Sequence, residues 1–126
     1  MRAALIVLLL CGAARAEDRQ EMSAGDVSRW LSFFDKLVDV VVRDSSAKCD
    51  KMAADVNVVI DANKDAVAIV RAAHDQGKRL PQAAQEHMVA GVKKMVPAMQ
   101  KCGQDGGVRA AFSKLDVTRK DAAARR

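Results

Sequence analysis

Apolar residues recur every three or four positions along residues 46–76, a stretch without Gly or Pro. With Cys49 at position a of a heptad, the apolar residues stay in phase for four heptads and occupy a, d and e, which form one face of a helix. The pattern therefore predicts one long core-facing helix rather than two helices broken at residues 61–64. Ser45 or Ser46 is expected to cap it. The stripe consists of Cys49, Met52, Ala53, Val56, Val59, Ile60, Ala66, Val67, Val70, Ala73 and His74, with Asn63 at one a position.

A second apolar pattern follows Ser23. The spacing of Ser23 and Asp26 is that of a capping box, which predicts a helix over residues 24–44. Its apolar arc spans four adjacent heptad positions, so the helix either packs against two neighbours or leaves an apolar strip for a partner. The arc contains Trp30, Leu31, Phe33, Phe34, Leu37, Val38, Val40 and Val41. The strip that a partner would contact consists of Trp30, Leu31, Phe34, Val38 and Val42.

Two further patterns complete the expected fold. Gly77 is typical of the residue that ends a helix, and a third helix is predicted over residues 81–101. Pro97 falls on the outer face of that helix, where it bends the helix around the core. A short fourth helix over residues 105–117 begins at Asp105 as N-cap. We therefore expect an all-α, up-and-down bundle of four helices. The predicted core stripes are Met88, Val92, Met95, Met99 and Cys102 in the third helix, and Val108, Ala111, Phe112 and Leu115 in the fourth.

The first residues of the chain are typical of a secretory signal peptide. A basic residue precedes an apolar run, and Ala-Arg-Ala at residues 14–16 matches a cleavage site. The run is shorter than the about 20 residues that span a bilayer. Lipidation of Cys11 is the alternative, although Leu10 stands where a small residue is usual. We expect a signal peptide over residues 1–16 and a secreted, periplasmic helical domain over residues 17–117.

The net charge of +5 changes once the signal peptide is removed. Two arginines leave with it, so nineteen basic residues face sixteen acidic ones in the mature chain. The tail over residues 118–126 carries the remaining excess, and the body is balanced. The charge therefore predicts a solvated, disordered basic tail and no nucleic-acid partner.

Cleavage would also leave two cysteines, Cys49 and Cys102, in an oxidising compartment. A disulfide is predicted, with free buried thiols as the alternative. Its loop of about fifty residues would be worth roughly 4 kcal/mol. The two cysteines lie at the same end if residues 46–76 descend and residues 81–101 climb back. The descending helix is about 9 Å longer, which a slanted crossing or a partial break near Asn63 would absorb.

Motifs for chemistry are few. No C-x-x-C-H haem motif occurs, and no catalytic triad, phosphate loop or paired-carboxylate site stands out. His74 and His87 flank the Gly77 turn and are weak candidates for a metal site, because they fall on different helical faces. The methionines occupy core positions. We expect a protein without cofactor or enzymatic activity.

Several short motifs carry a resemblance. They are Cys49-Asp-Lys-Met-Ala-Ala-Asp55, Asp61-Ala-Asn63, Gly77-Lys-Arg-Leu-Pro81 and Cys102-Gly103. The pattern resembles small, uncharacterised secreted helical proteins of Gram-negative bacteria, and the resemblance implies a periplasmic location. The leading hypothesis is a module that binds another protein or a hydrophobic segment, or associates with itself. The alternative is a carrier of a small ligand, metal or haem that uses the bundle interior or the histidine end.

Overall fold

A computed structural model of the chain describes residues 20–116. The predicted signal peptide, Cys11 and the basic tail over residues 118–126 lie outside the described residues. The described part is all-α and contains no strand, which confirms the predicted class, although it has five α-helices instead of four. The helices are α1 (Ala24–Arg43), α2 (Cys49–Ala62), α3 (Lys64–Asp75), α4 (Gln82–Cys102) and α5 (Gly106–Ser113), with a 3₁₀ turn at Asp44–Ser46.

The prediction of one continuous helix over residues 46–76 is wrong, because the helix breaks at Asn63. The backbone of Asn63 has φ −128° and ψ 36°, outside the helical region. Its amide N–H donates to the Ile60 carbonyl, and its side-chain Nδ2 donates to the Val59 carbonyl at 2.7 Å. Asn63 therefore satisfies with its side chain a carbonyl that a regular helix would satisfy with its backbone.

The start of α2 also differs from the prediction. Neither Ser45 nor Ser46 caps it: the Ser45 hydroxyl donates to the Val42 carbonyl, and Ser46 belongs to the 3₁₀ turn. The N-cap residue is Lys48, which makes no side-chain cap. A tight turn of three residues thus precedes α2.

The Cys49–Cys102 disulfide is present, with Cα atoms 5.4 Å apart. At the opposite end of the bundle, Met22 and Arg79 are joined by a backbone hydrogen bond of 2.9 Å. Since α2 and α3 together lead from the disulfide end to the Gly77 end, Asn63 bends this path without reversing it. The chain therefore keeps the up-and-down topology that brings Cys49 and Cys102 to the same end, although the helix between them is broken.

Most of the predicted helix ends are confirmed. The Ser23 hydroxyl accepts from the Asp26 N–H at 3.2 Å, and Asp105 accepts from the Val108 N–H at 3.0 Å. Gly77 has φ +68°, and the bonds from Gly77 N–H to the His74 carbonyl and from Lys78 N–H to the Ala73 carbonyl form a Schellman motif. These caps fix where α1 and α5 begin and where α3 ends.

The core is organised around α1, which packs against α2, α3 and α4, while α5 covers α2. The side chains that α1 buries are large, and Val108 and Ala111 contribute from α5. Leu115 lies beyond the end of α5 and is half-buried against the core. The buried apolar residues of α1 are Trp30, Phe33, Phe34, Leu37, Val38 and Val41.

The core stripe of α4 is rotated from the predicted one. Met95 and Cys102 are buried as expected, but Val92 is exposed, and Met88 and Met99 are only half-buried. Small residues take the central positions, because a Cβ at Gly91 would lie 2.5 Å from Phe34 Cε1. The residues that α4 buries are Ala84, Gly91, Met95, Ala98 and Cys102.

Candidate functional site

The interaction strip predicted on α1 is not an exposed surface. Trp30, Phe34 and Val38 are buried in the protein's own core, and Leu31 is half-buried. Only Val42, at 42 % exposure, remains open to solvent. The strip as predicted is therefore wrong as a continuous docking face, because three other helices pack against α1 and bury Trp30, Phe34 and Val38.

The exposed apolar surface lies instead on α4. Val89, Val92 and Val96 are 54 %, 50 % and 43 % exposed, and their spacing of three and four residues places them on one side of the helix. We call these three residues the valine face. They are the only large apolar side chains of α4 that are exposed, and each leaves about half of its surface in water, which is unfavourable for an apolar side chain.

The valine face is bordered by core residues on one edge and by charged residues on the other. On the helical wheel, the half-buried Met88 and Met99 lie next to it on the core side. On the solvent side lie Glu86 and Lys93, which line, with Val89, a shallow groove of about 500 Å³. Gln82 donates to Glu86 at 3.3 Å, whereas Lys93 makes no hydrogen bond or ion pair with residues 20–116. The surface is thus an apolar stripe with one acid and one base along one side.

Sequence reasoning missed Val89 and Val96. The three valines recur at i, i+3 and i+7, which is itself a helical signature. The predicted register took the larger methionines as the core and absorbed Val92 into that stripe. Close approach through Gly91 and Ala98 decides the register instead.

A second surface lies in the groove between α1 and the start of α4. His87 Nε2 is 2.6 Å from Asp35 Oδ1, and Ser28 and Ser32 line the same groove. Its volume is about 620 Å³, and its apolar wall includes Leu31. This groove can hold a small polar group beside the carboxylate–imidazole pair, but it is open to solvent along its length.

The two histidines do not form a common site. His74 Nδ1 lies 3.8 Å from Asp75 on α3, whereas His87 contacts Asp35 on α1. Within residues 20–116, no group of three or more His, Cys, Asp or Glu side chains is arranged to hold a metal ion. His74 and His87 thus contact different partners on different helices.

The methionines serve packing. Met52 and Met95 are buried in the core, and the Trp30 indole N–H donates to Met88 Sδ at 3.2 Å. Their sulfur atoms thus fill space and accept one weak hydrogen bond.

The disulfide end carries a charged cluster. Asp44 is buried, and its Oδ1 accepts from Arg43 Nε at 3.2 Å, while its Oδ2 has no hydrogen-bond partner within residues 20–116. Asp55 accepts from Lys51 at 2.8 Å and from Arg43 at 3.0 Å. These contacts, above all the one from Lys51, lower the pKa of Asp55. The cluster links α1 to α2.

No helix within residues 20–116 is long and apolar enough to cross a bilayer. Comparison of the chain with protein-family models, with curated proteins and with solved structures finds no significant match.

Proposed function

We propose that this protein is a non-enzymatic, secreted helical bundle that binds a hydrophobic helical segment of a protein through the valine face of α4. The observation that carries the proposal is the coincidence of Val89, Val92 and Val96, each about half exposed, on one side of a well-formed helix. Single exposed apolar residues are ordinary, but an aligned set with helical spacing is typical of a helix–helix contact.

The rigidity of α4 supports this use of the surface. The helix is fixed along its inner side by close packing of Gly91 against Phe34 and at its end by the disulfide through Cys102. Lys101 also donates to the carbonyls of Ser45 and Ala47 at the 3₁₀ turn. A preformed face held by such contacts loses little conformational entropy when a partner binds, which favours recognition.

Secretion to the periplasm is part of the same proposal. The N-terminal pattern and the Cys49–Cys102 bond are compatible with an oxidising compartment. Intact mass spectrometry of protein recovered from the periplasm should give a chain that begins at residue 17 and lacks two thiol hydrogens. A full-length chain with free thiols in the cytoplasm would contradict this part of the proposal.

The carrier alternative has narrower support. A carrier would have to use the groove beside Asp35 and His87, because the buried methionines fill the core and His74 contacts Asp75 instead of this groove. We therefore keep the valine face as the proposed site.

The test is binding of a designed probe. We would measure fluorescence anisotropy of a labelled amphipathic helical peptide with leucines at spacings of three and four, against a scrambled peptide of the same composition. The periodic peptide should bind the wild-type protein, and the V89S/V92S/V96S variant should bind it at least about tenfold more weakly.

Val58 provides a matched control, because it is a valine of α2 that is 66 % exposed. The V58S variant should bind the peptide as the wild type does, and circular dichroism should show all variants to be folded. Equal binding to the triple variant, or equal binding of the scrambled peptide, would contradict the proposal.

A further inference from the structure

The valine face has the spacing of a coiled-coil seam. With Val89 at a, Val92 falls at d and Val96 at the next a, with Gln85 at the preceding d. Glu86 and Lys93 then both occupy position e, along the same edge of the seam. Positions e and g in coiled coils carry the charges that choose the partner and its orientation. The charges of Glu86 and Lys93 therefore restrict which partner can pack on the valine face and in which orientation.

We propose that the partner of the valine face is a second copy of this chain, docked with its α4 antiparallel to the first. This inference rests on the proposed function and names the occupant of the same site. An antiparallel seam pairs position a of one helix with position d of the other. It places Val89 opposite Val92 of the second copy and Val96 opposite Gln85 of the second copy. The two-fold axis repeats each contact, so the central layers are valine on valine.

Charge complementarity selects this arrangement. In the antiparallel pairing, Glu86 lies about 3 Å along the axis from Lys93 of the second copy, two residues of rise, which is within side-chain reach. The symmetry creates the pair twice. In a parallel, in-register pairing each e position would face a g position of the partner, so Glu86 and Lys93 would face Pro81 and Met88 and the pair would not form. Lys93 makes no ion pair or hydrogen bond with residues 20–116, so its ammonium group is free to take part.

The expected dimer is weak and reversible. A seam of about three helical turns buries less than the about 1,000 Å² that a stable interface requires. The polar Gln85 layers at both ends also limit the apolar contact to the centre. We therefore expect a monomer–dimer equilibrium that shifts with concentration rather than a permanent dimer.

Sedimentation equilibrium of the purified protein tests the seam. The weight-average mass should rise from monomer toward dimer with concentration, and V92S should abolish the rise while V58S leaves it unchanged. K93E and E86K should each weaken the dimer roughly tenfold, because two attractive pairs become repulsive. The double variant E86K/K93E should restore it, since the swapped charges complement each other again.

Mixing the two single variants gives the sharpest outcome. K93E carries two acids on the seam edge and E86K two bases, so the mixture should form a heterodimer tighter than either homodimer. A dimer that ignores these charges and V92S, or a protein that stays monomeric throughout, would overturn the self-association. If the designed peptide still binds the valine face of a monomeric protein, the proposed function stands without this partner. If the peptide also fails, both proposals are wrong.

Discussion

Helices α1 and α4 lie side by side, yet they use their apolar residues in opposite ways. α1 directs its large side chains, such as Phe34 and Leu37, into the core, and three helices pack against it. α4 offers small residues, such as Gly91 and Ala98, to that core and keeps three valines in solvent. Apolar character alone therefore does not identify a docking surface. What matters is how closely two backbones approach.

The largest expected effect concerns the bond that ties α4 to α2. Replacing both Cys49 and Cys102 by serine should lower the free energy of unfolding by roughly 4 kcal/mol, since the bridged cysteines are 53 residues apart. Cys102 is fully buried, so a serine there adds the cost of an apolar environment. Urea unfolding of the oxidised wild type and of the double variant measures the difference. A change below about 1 kcal/mol would mean that α1 alone holds α4 in place.

The buried side of the comparison is tested at Val38. Val38→Ala removes two methyl groups from the α1–α4 contact, where Val38 lies beside Gly91. We expect a loss of about 2 kcal/mol in the free energy of unfolding, measured by chemical denaturation. A loss within experimental error would show that the contact between the two helices is loose.

The close approach itself is tested at Gly91. Gly91→Ala places a methyl group against the Phe34 ring, so strain should outweigh the gain in helix propensity and destabilise the protein by about 1 kcal/mol. Gly25 is a matched control, because its Cβ would meet nothing within 4 Å. Gly25→Ala should leave stability unchanged or raise it by up to about 1 kcal/mol. If both substitutions shift the melting temperature in the same direction, Gly91 does not set the helix spacing.

The charged contact between α1 and α2 gives a smaller, pH-dependent effect. The pKa of Asp55 is lowered from its ordinary value of 3.8, first by the Lys51 hydrogen bond. A carboxyl whose folded-state pKa is depressed stabilises the fold above its unfolded value and loses this contribution as the pH falls through the folded value. Stability should therefore decline below about pH 4 in the wild type and decline less in Asp55→Asn. Melting curves of both proteins at neutral and acidic pH measure the loss of stability. An equal loss in the wild type and in Asp55→Asn would show that Asp55 does not cause the pH dependence.

The helical class and most caps could be predicted because they depend on local spacing, and the disulfide could be predicted because two cysteines remain after cleavage. Ser23, Gly77 and Asp105 act through backbone groups only a few residues away, and the cysteine pair restricts the topology. The break at Asn63 was missed because the apolar stripe runs through it unbroken, whereas the hydrogen bond from its side chain to the Val59 carbonyl leaves no mark in that pattern. The valine face was not predicted because glycine and alanine are small and were not assigned to the core of α4. Small residues nevertheless permit the closest contacts between helices.

The smallest expected effect is at Val92, and it is the one that separates packing from recognition. Val92→Ala makes the same chemical change as Val38→Ala, but the side chain is half exposed, so the unfolding free energy should change by less than about 0.5 kcal/mol. Any weakening of peptide binding in this variant then comes from the surface itself, because the fold is unaltered. A loss of stability comparable to that of Val38→Ala would instead place Val92 in the core and remove the basis for a docking face on α4.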